Sequence, residues 1–102
     1  NYLLGYPLVV IGGALLNLDR PQEALVPLER ALRLREGHDP DPTLIAEARF
    51  ALARALWSAG ANRPRARALA EQAREGYGGK DSEKERDAVE TWLAARTRSL
   101  RR

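Results

Sequence analysis

The sequence contains no cysteine and no methionine, a single histidine, and aromatic side chains at only 6% of its positions. Each scarcity removes a class of chemistry. Without cysteine there is no disulfide framework and no thiolate zinc or iron–sulfur site. His38 alone cannot make a multi-histidine metal site, and in the turn GHDPDP it reads as a solvated residue. No window approaches the roughly 18 consecutive apolar residues of a membrane span. The most apolar run, Leu3–Leu18, is interrupted by Gly5, Pro7, Gly12 and Gly13, and no basic residues precede it as in a signal peptide. Glycine-rich nucleotide fingerprints, a P-loop and a nucleophile with its base are also missing. Gly76–Gly79 lacks the preceding strand and following Lys-Ser or Lys-Thr of a phosphate cradle. We therefore expect no catalytic activity, no cofactor and no metal in this chain. The lack of even an initiator methionine suggests a piece of a longer protein.

What remains is a helix-forming sequence. The 102 residues are one domain's worth, enough to bury a core without staples. Ala, Leu, Arg and Glu dominate, and these favour helices. The net charge of +3 and pI near 9.8 invite a nucleic-acid reading. However, only Lys80 and Lys84 are lysines among the 17 basic residues, and the arginines are interleaved with 14 acids, as on solvated helix faces. Nucleic acid is therefore not the expected partner.

Proline and glycine punctuate the chain into five predicted helices and no strands. The first spans about Pro7 to Leu18, with Pro7 in its first turn and Asn1–Tyr6 as the frayed end of a preceding helix. The second spans about Pro21 to Arg35, with Asp19 or Arg20 at its cap and Gly37 ending it. Ala24, Leu25, Leu28, Ala31 and Leu32 form its apolar face, and Pro27 should bend it. Asp41 caps the third, which starts at Pro42 and runs to about Ala59 before Gly60. The fourth spans about Arg63 to Gly76. The fifth opens on Ser82–Glu85, a capping-box pattern, and buries Val89, Trp92, Leu93 and Leu100, with the stem of Arg96 packed beside them.

The two halves repeat. Ile11-Gly12-x-x-Leu15-x-x-x-Asp19, followed by Ala24, Leu28 and Ala31, matches Leu52-Ala53-x-x-Leu56-x-x-x-Gly60, followed by Ala66, Ala70 and Ala73. The second half has one extra turn residue. Small residues at Gly12 or Ala53 and at Ala24 or Ala66 would let paired helices approach closely, while Leu15, Leu56 and Leu28 fill the space beside them.

This pattern resembles the tetratricopeptide repeat. Its spacing near 42 residues is similar to the kinesin-light-chain-like variant. RPQEALVPLERALRLRE and AEARFALARALW are similar to repeats attached to bacterial serine/threonine protein kinases. The signature's first-helix tryptophan is Leu8 in one unit and Arg49 in the other, its glycine is Ala53 in the second unit, and its late phenylalanine is Ala70. The resemblance implies an all-α right-handed solenoid of antiparallel helix hairpins. It comprises one domain over residues 1–102, with units at 7–36 and 42–77 and a capping or third-unit helix at 81–100. It also implies a cytoplasmic protein-interaction module whose first helices line a concave groove for a peptide or partner segment.

Family positions carried onto this sequence place Val9, Gly13, Leu16 and Asn17 of the first helix and Glu47, Phe50, Arg54, Trp57 and Ser58 of the third in that groove. Arg54 beside Phe50 and Trp57 could hold a peptide carboxylate over an apolar shelf. Phe50 and Trp57 are either core residues or partly open groove contacts. The lysine–asparagine clamp that binds chaperone tails is not supported, since Gly13 and Arg54 occupy its central positions. Arg49 falls within the apolar arc beside Ile45, Ala53 and Leu56, and there it either snorkels to the edge or pairs with a carboxylate of a neighbouring helix. The rival functions are a structural cap without its own ligand, self-association through residues 2–18, and arginine-mediated nucleic-acid binding.

Overall fold

The computed structural model of the protein describes the backbone of residues 1–100 and the side chains of residues 1–97. Leu100, expected on the buried face of the fifth helix, lies outside the described side chains. Five α-helices form the fold: α1 (Gly5–Asn17), α2 (Pro21–Arg35), α3 (Pro42–Ser58), α4 (Arg63–Gly76) and α5 (Glu83–Leu100). Short 3-10 turns at Tyr2–Leu4 and Lys80–Ser82 lead into α1 and α5. Among the described residues there is no strand, so the fold is all-α.

Local chemistry sets most of the boundaries. Pro21, Pro42 and Pro64 stand in the first turns of their helices, where a missing N–H leaves no bond unmade. Asp41 Oδ1 accepts from Thr43 N at 2.9 Å and from Thr43 Oγ1 at 2.7 Å. These bonds hold the Asp41 carboxyl below its usual range. Asn62 is the extra turn residue of the second half. It takes a left-handed conformation, φ 51°, and its Oδ1 accepts from Arg65 N at 3.2 Å. Pro27 is accommodated inside a continuous α2.

Two boundaries differ from the sequence expectation. The first helix begins at Gly5, two residues before Pro7, and the residues ahead of it are helical rather than frayed. Its first N–H groups have no intrahelical acceptor in any case, so proline in this turn costs nothing. Asn1 Oδ1 accepts from Leu3 N at 3.0 Å and starts the run. At α5, Ser82 is not an N-cap with reciprocal side-chain bonds. It is buried in the 3-10 turn that flows directly into the helix. The junction is held instead by Arg86, whose Nη1 donates to Tyr77 O at 2.7 Å and Gly79 O at 3.2 Å.

The repeat is visible in the backbone. Asp19 (φ 59°) and Gly60 (φ 67°) are both left-handed, at the ends of α1 and α3. Around Asp19, Asp19 N donates to Leu16 O and Arg20 N to Leu15 O. Around Gly60, Gly60 N donates to Trp57 O and Ala61 N to Leu56 O. This is the same Schellman closure twice. Glycine adopts this conformation freely, whereas an L side chain crowds the next carbonyl. Asp19→Gly is therefore expected to stabilise the chain by about 0.5–1 kcal/mol, and Gly60→Ala to destabilise it by ~1 kcal/mol. Chemical denaturation checks both. An Asp19→Gly chain no more stable than wild type would mean the left-handed residue is unstrained.

Packing is sequential: α1 on α2, α2 on α3, α3 on α4 and α4 on α5. The core is built largely of alanine. Ala24, Ala46, Ala48, Ala53, Ala55, Ala66, Ala70 and Ala73 are fully buried around Leu28, Leu52 and Val89. Alanine gives close helix approach at little rotamer cost. Glu29 of α2 and Arg65 of α4 tie the two hairpins together through two parallel bonds of 2.6 and 2.7 Å. Arg65's hydrogen bonds, and its charge, hold the Glu29 carboxyl below its ordinary value.

Among the described residues the deeply buried arginine is Arg35, not Arg49. Arg49 is a quarter exposed and meets Glu36, the residue capping α2, at 3.4 Å, so it forms an ion pair with the neighbouring helix. Arg35 is fully buried. Its Nη1 donates to Leu44 O at 2.7 Å and to Glu47 Oε1 at 3.0 Å, its guanidinium lies 5.1 Å from the Tyr6 ring centre, and its Nε and Nη2 have no hydrogen-bond partner. Arg35 follows Leu28 by seven residues, so it shares the buried face of α2.

Candidate functional site

The sequence-predicted groove residues divide between two neighbouring helices. On α1, Val9, Gly13 and Leu16 are half-buried and Asn17 is exposed. On α3, Glu47, Phe50, Arg54 and Trp57 are half-buried and Ser58 is exposed. The twin turns make Val9, Gly13, Leu16 and Asn17 the counterparts of Phe50, Arg54, Trp57 and Ser58, so the residues occupy one face of two related helices. α1 and α3 touch directly.

Glu47 departs from its expected place. Its Oε1 accepts from Arg35, so its first duty is to answer a buried charge. The rest of its side chain faces a hollow also lined by Thr43, Tyr77, Asp81, Ser82 and Glu85. The Tyr77 phenol beside it is pushed up to about 12, first by burial and then by Glu47 and Glu85.

Phe50 and Trp57 are joined by a third ring. Trp92 of α5 meets Phe50 edge-on, with ring centres 5.9 Å apart and planes at 88°. It meets Trp57 at 5.8 Å and 77°. These are the favourable edge-to-face geometries of aromatic pairs. Phe50 and Trp57 are thus both packed and partly open, and one side of each is closed by the chain's own α5.

Three guanidinium groups surround the rings. Arg54 lies 5.9 Å from the centre of Phe50, Arg63 4.8 Å from that of Trp57, and Arg96 4.4 Å from that of Trp92. Each gains a cation–π attraction, worth ~0.5–1 kcal/mol where water is present. Burial and the nearby charge of Arg54 lower the Arg96 pKa, as expected for two cations sharing a low-dielectric surface. Arg96 Nη1 makes a long bond of 3.4 Å to Trp92 O, and its Nε has no partner. Among the described residues, no carboxylate forms an ion pair with Arg54, Arg63 or Arg96, whereas Arg20, Arg35, Arg49 and Arg65 are all paired.

Trp92, Arg96 and Arg63 were not among the residues expected here. Trp92 and Arg96 lie one turn apart on the buried stripe of α5, a spacing that brings a guanidinium over an indole. The helix they pack against is not encoded in that spacing. Arg63 starts α4, and only the turn before it brings it back over Trp57.

The chemistry available here is recognition of negative charge. Planar guanidinium groups suit carboxylates and phosphates, and the rings supply apolar area beneath them. Among the described residues there is no grouping of three or more His, Cys, Asp or Glu that could hold a metal, and no helix long and apolar enough to cross a membrane. No family model, no curated protein and no solved structure matches the chain.

Proposed function

We propose that this chain is a protein-interaction module of tetratricopeptide-like build that takes an acidic polypeptide segment on the face shared by α3 and α5. Arg54, Arg63 and Arg96 carry the proposal. They stand over Phe50, Trp57 and Trp92 and, among the described residues, form no ion pair with a carboxylate of the chain. An acidic side chain would complete their electrostatics, and an adjacent apolar residue would cover the exposed ring surface. Helix hairpins stacked in one direction, each first helix beside the next, support a groove along that face. The likeness of RPQEALVPLERALRLRE to kinase-attached repeats supports a cytoplasmic signalling parent.

Tryptophan fluorescence gives the test, since both tryptophans lie in the patch. A short peptide with two or three acidic residues beside an aromatic one should alter the emission, and its amide counterpart should not. Arg54→Ala and Arg96→Ala should each weaken binding about tenfold, the size expected for losing one charge-assisted hydrogen bond. Equal affinity for the acidic and amide peptides would overturn the proposal.

A further inference from the structure

The hollow in front of Glu47 has a volume of about 360 Å³ and lies between the start of α3, the end of α4 and the start of α5. Its polar lining is Thr43, Glu47, Tyr77, Asp81, Ser82 and Glu85, which are carboxylates and hydroxyls without one basic side chain. Arg35 lies behind this wall, and its charge is matched by Glu47. Asp81 and Glu85 form no ion pair among the described residues. Acids near the first turn of a helix are ordinary N-terminal chemistry, and those two alone would need no further account. Tyr77 and Ser82 do need one. Each is only 8% exposed, and among the described residues neither hydroxyl makes a hydrogen bond within the chain. Hydroxyls set this deeply are ordinarily bonded. Both residues line the hollow, and Glu47 and Glu85 stand close enough to the Tyr77 phenol to raise its pKa. Neither oxygen is sealed off, so a partner for either arrives through the hollow.

We infer that this hollow is a binding site for a guanidinium group, the head of an arginine side chain. Every polar side chain that lines it can accept a hydrogen bond, and an ionised carboxylate can only accept. An anion would be repelled by Glu47, Asp81 and Glu85, and a neutral ligand would leave Asp81 and Glu85 without a counter-charge. The occupant is therefore a cation that carries N–H donors. Among the described residues no three acids converge closely enough to hold a metal ion, so the donors must point in several directions at once. A guanidinium does this with N–H groups spread around one plane, and it gives up its hydration more readily than an ammonium. The chain already seats one guanidinium from the inside: Arg35 Nη1 donates to Leu44 O at 2.7 Å and to Glu47 Oε1 at 3.0 Å. A second, entering from the outside, would find the other oxygen of Glu47, the Tyr77 and Ser82 hydroxyls as acceptors, and the charges of Asp81 and Glu85. The hollow shares no residue with the arginine–aromatic patch, so either idea can fail alone.

The experiment is an amide NMR titration of the full chain at low salt with methylguanidinium, and with methylammonium for comparison. Saturable shifts are expected at Thr43, Ser82 and Glu85, with methylguanidinium bound about tenfold more tightly than methylammonium, the effect of one further hydrogen bond. Glu85→Gln should weaken binding about tenfold, the loss of one charge-assisted hydrogen bond. Glu85 is exposed, so this change does not put the fold at stake. Tyr77→Phe removes only the hydroxyl and should weaken binding while the amide spectrum shows the fold kept. Glu83→Gln, the same change on the same helix but outside the hollow, should have no effect. A blocked tripeptide with arginine between two alanines separates the sources. Tighter binding than methylguanidinium marks an arginine of a polypeptide, and equal binding marks a free guanidinium compound. Shifts that do not saturate, equal affinity for methylammonium, or binding indifferent to Glu85→Gln would each overturn the inference.

Discussion

Gly12→Ala is expected to destabilise the protein by about 1–2 kcal/mol, although in an exposed helix the same change would stabilise it. Gly12 is buried where α1 crosses α2. A methyl group there would fall well inside contact distance of Leu28 Cγ and Cδ2 and 3.0 Å from Cδ1. Leu28 is fully buried, so its branch point cannot swing away into solvent. Overpacking of this kind costs ~1–3 kcal/mol, more than the ~1 kcal/mol of helix propensity that alanine contributes. Leu28→Ala removes all three crowding atoms at a cost of ~2–5 kcal/mol. In that background Gly12→Ala should therefore become neutral or stabilising, because the methyl group now fills a cavity. Thermal or urea unfolding of the four chains checks this reversal of sign. A Gly12→Ala chain as stable as wild type would show that α1 and α2 part to admit the methyl group at no cost.

The second large effect concerns the buried ion pair. Glu47→Ala should cost about 2–3 kcal/mol, and Arg35→Met much less, or nothing. Ranking by burial alone gives the opposite order, since Arg35 is fully buried while the Glu47 side chain is 45% exposed. Removing Glu47 leaves a guanidinium in the core with one backbone carbonyl and the Tyr6 ring as its company. Removing the charge of Arg35 takes away a group whose Nε and Nη2 are already unpartnered, and methionine fills much of the same space. The freed Glu47 turns to water. Breaking a buried pair from one side usually costs ~3–5 kcal/mol; the exposure of Glu47 places this case at or below the low end. In the Arg35→Met chain, Glu47→Ala should have almost no effect. Arg35→Met being the more harmful of the two would mean that Arg35's own contacts with Leu44 O and the Tyr6 ring outweigh the cost of leaving its charge unpaired.

The contrast between Arg35 and Arg49 shows how far the sequence could be read. Both lie among apolar residues on helical wheels. Arg49, near the middle of α3, is a charge within an apolar arc, and it reaches Glu36. Arg35 ends α2, where a basic residue is ordinary helix-end chemistry. Its seven-residue distance from Leu28 was the available clue to its burial. Phe50 and Trp57 tell a similar story. Their spacing placed them on one face of α3, but the ring between them comes from α5, more than thirty residues further along. Of the candidate site, Arg54, Phe50 and Trp57 were legible in the sequence, while Trp92, Arg96 and Arg63 were brought there by packing.

The sequence by itself determined the helices and their turns. α2 and α4 run from Pro21 to Arg35 and from Arg63 to Gly76, the limits that proline and glycine mark. The left-handed turn at Gly60 recurs at Asp19 because each depends only on residues within one helical turn. The tertiary structure decided which faces are covered. α1 and α3 follow one pattern and have equivalent apolar stripes, yet Leu52 is buried and Ile11 is half exposed. No local preference separates these two residues. What separates them is that, among the described residues, α3 packs on both α2 and α4 while α1 packs mainly on α2, and burial depends on neighbours that the residue's own surroundings in the chain do not specify.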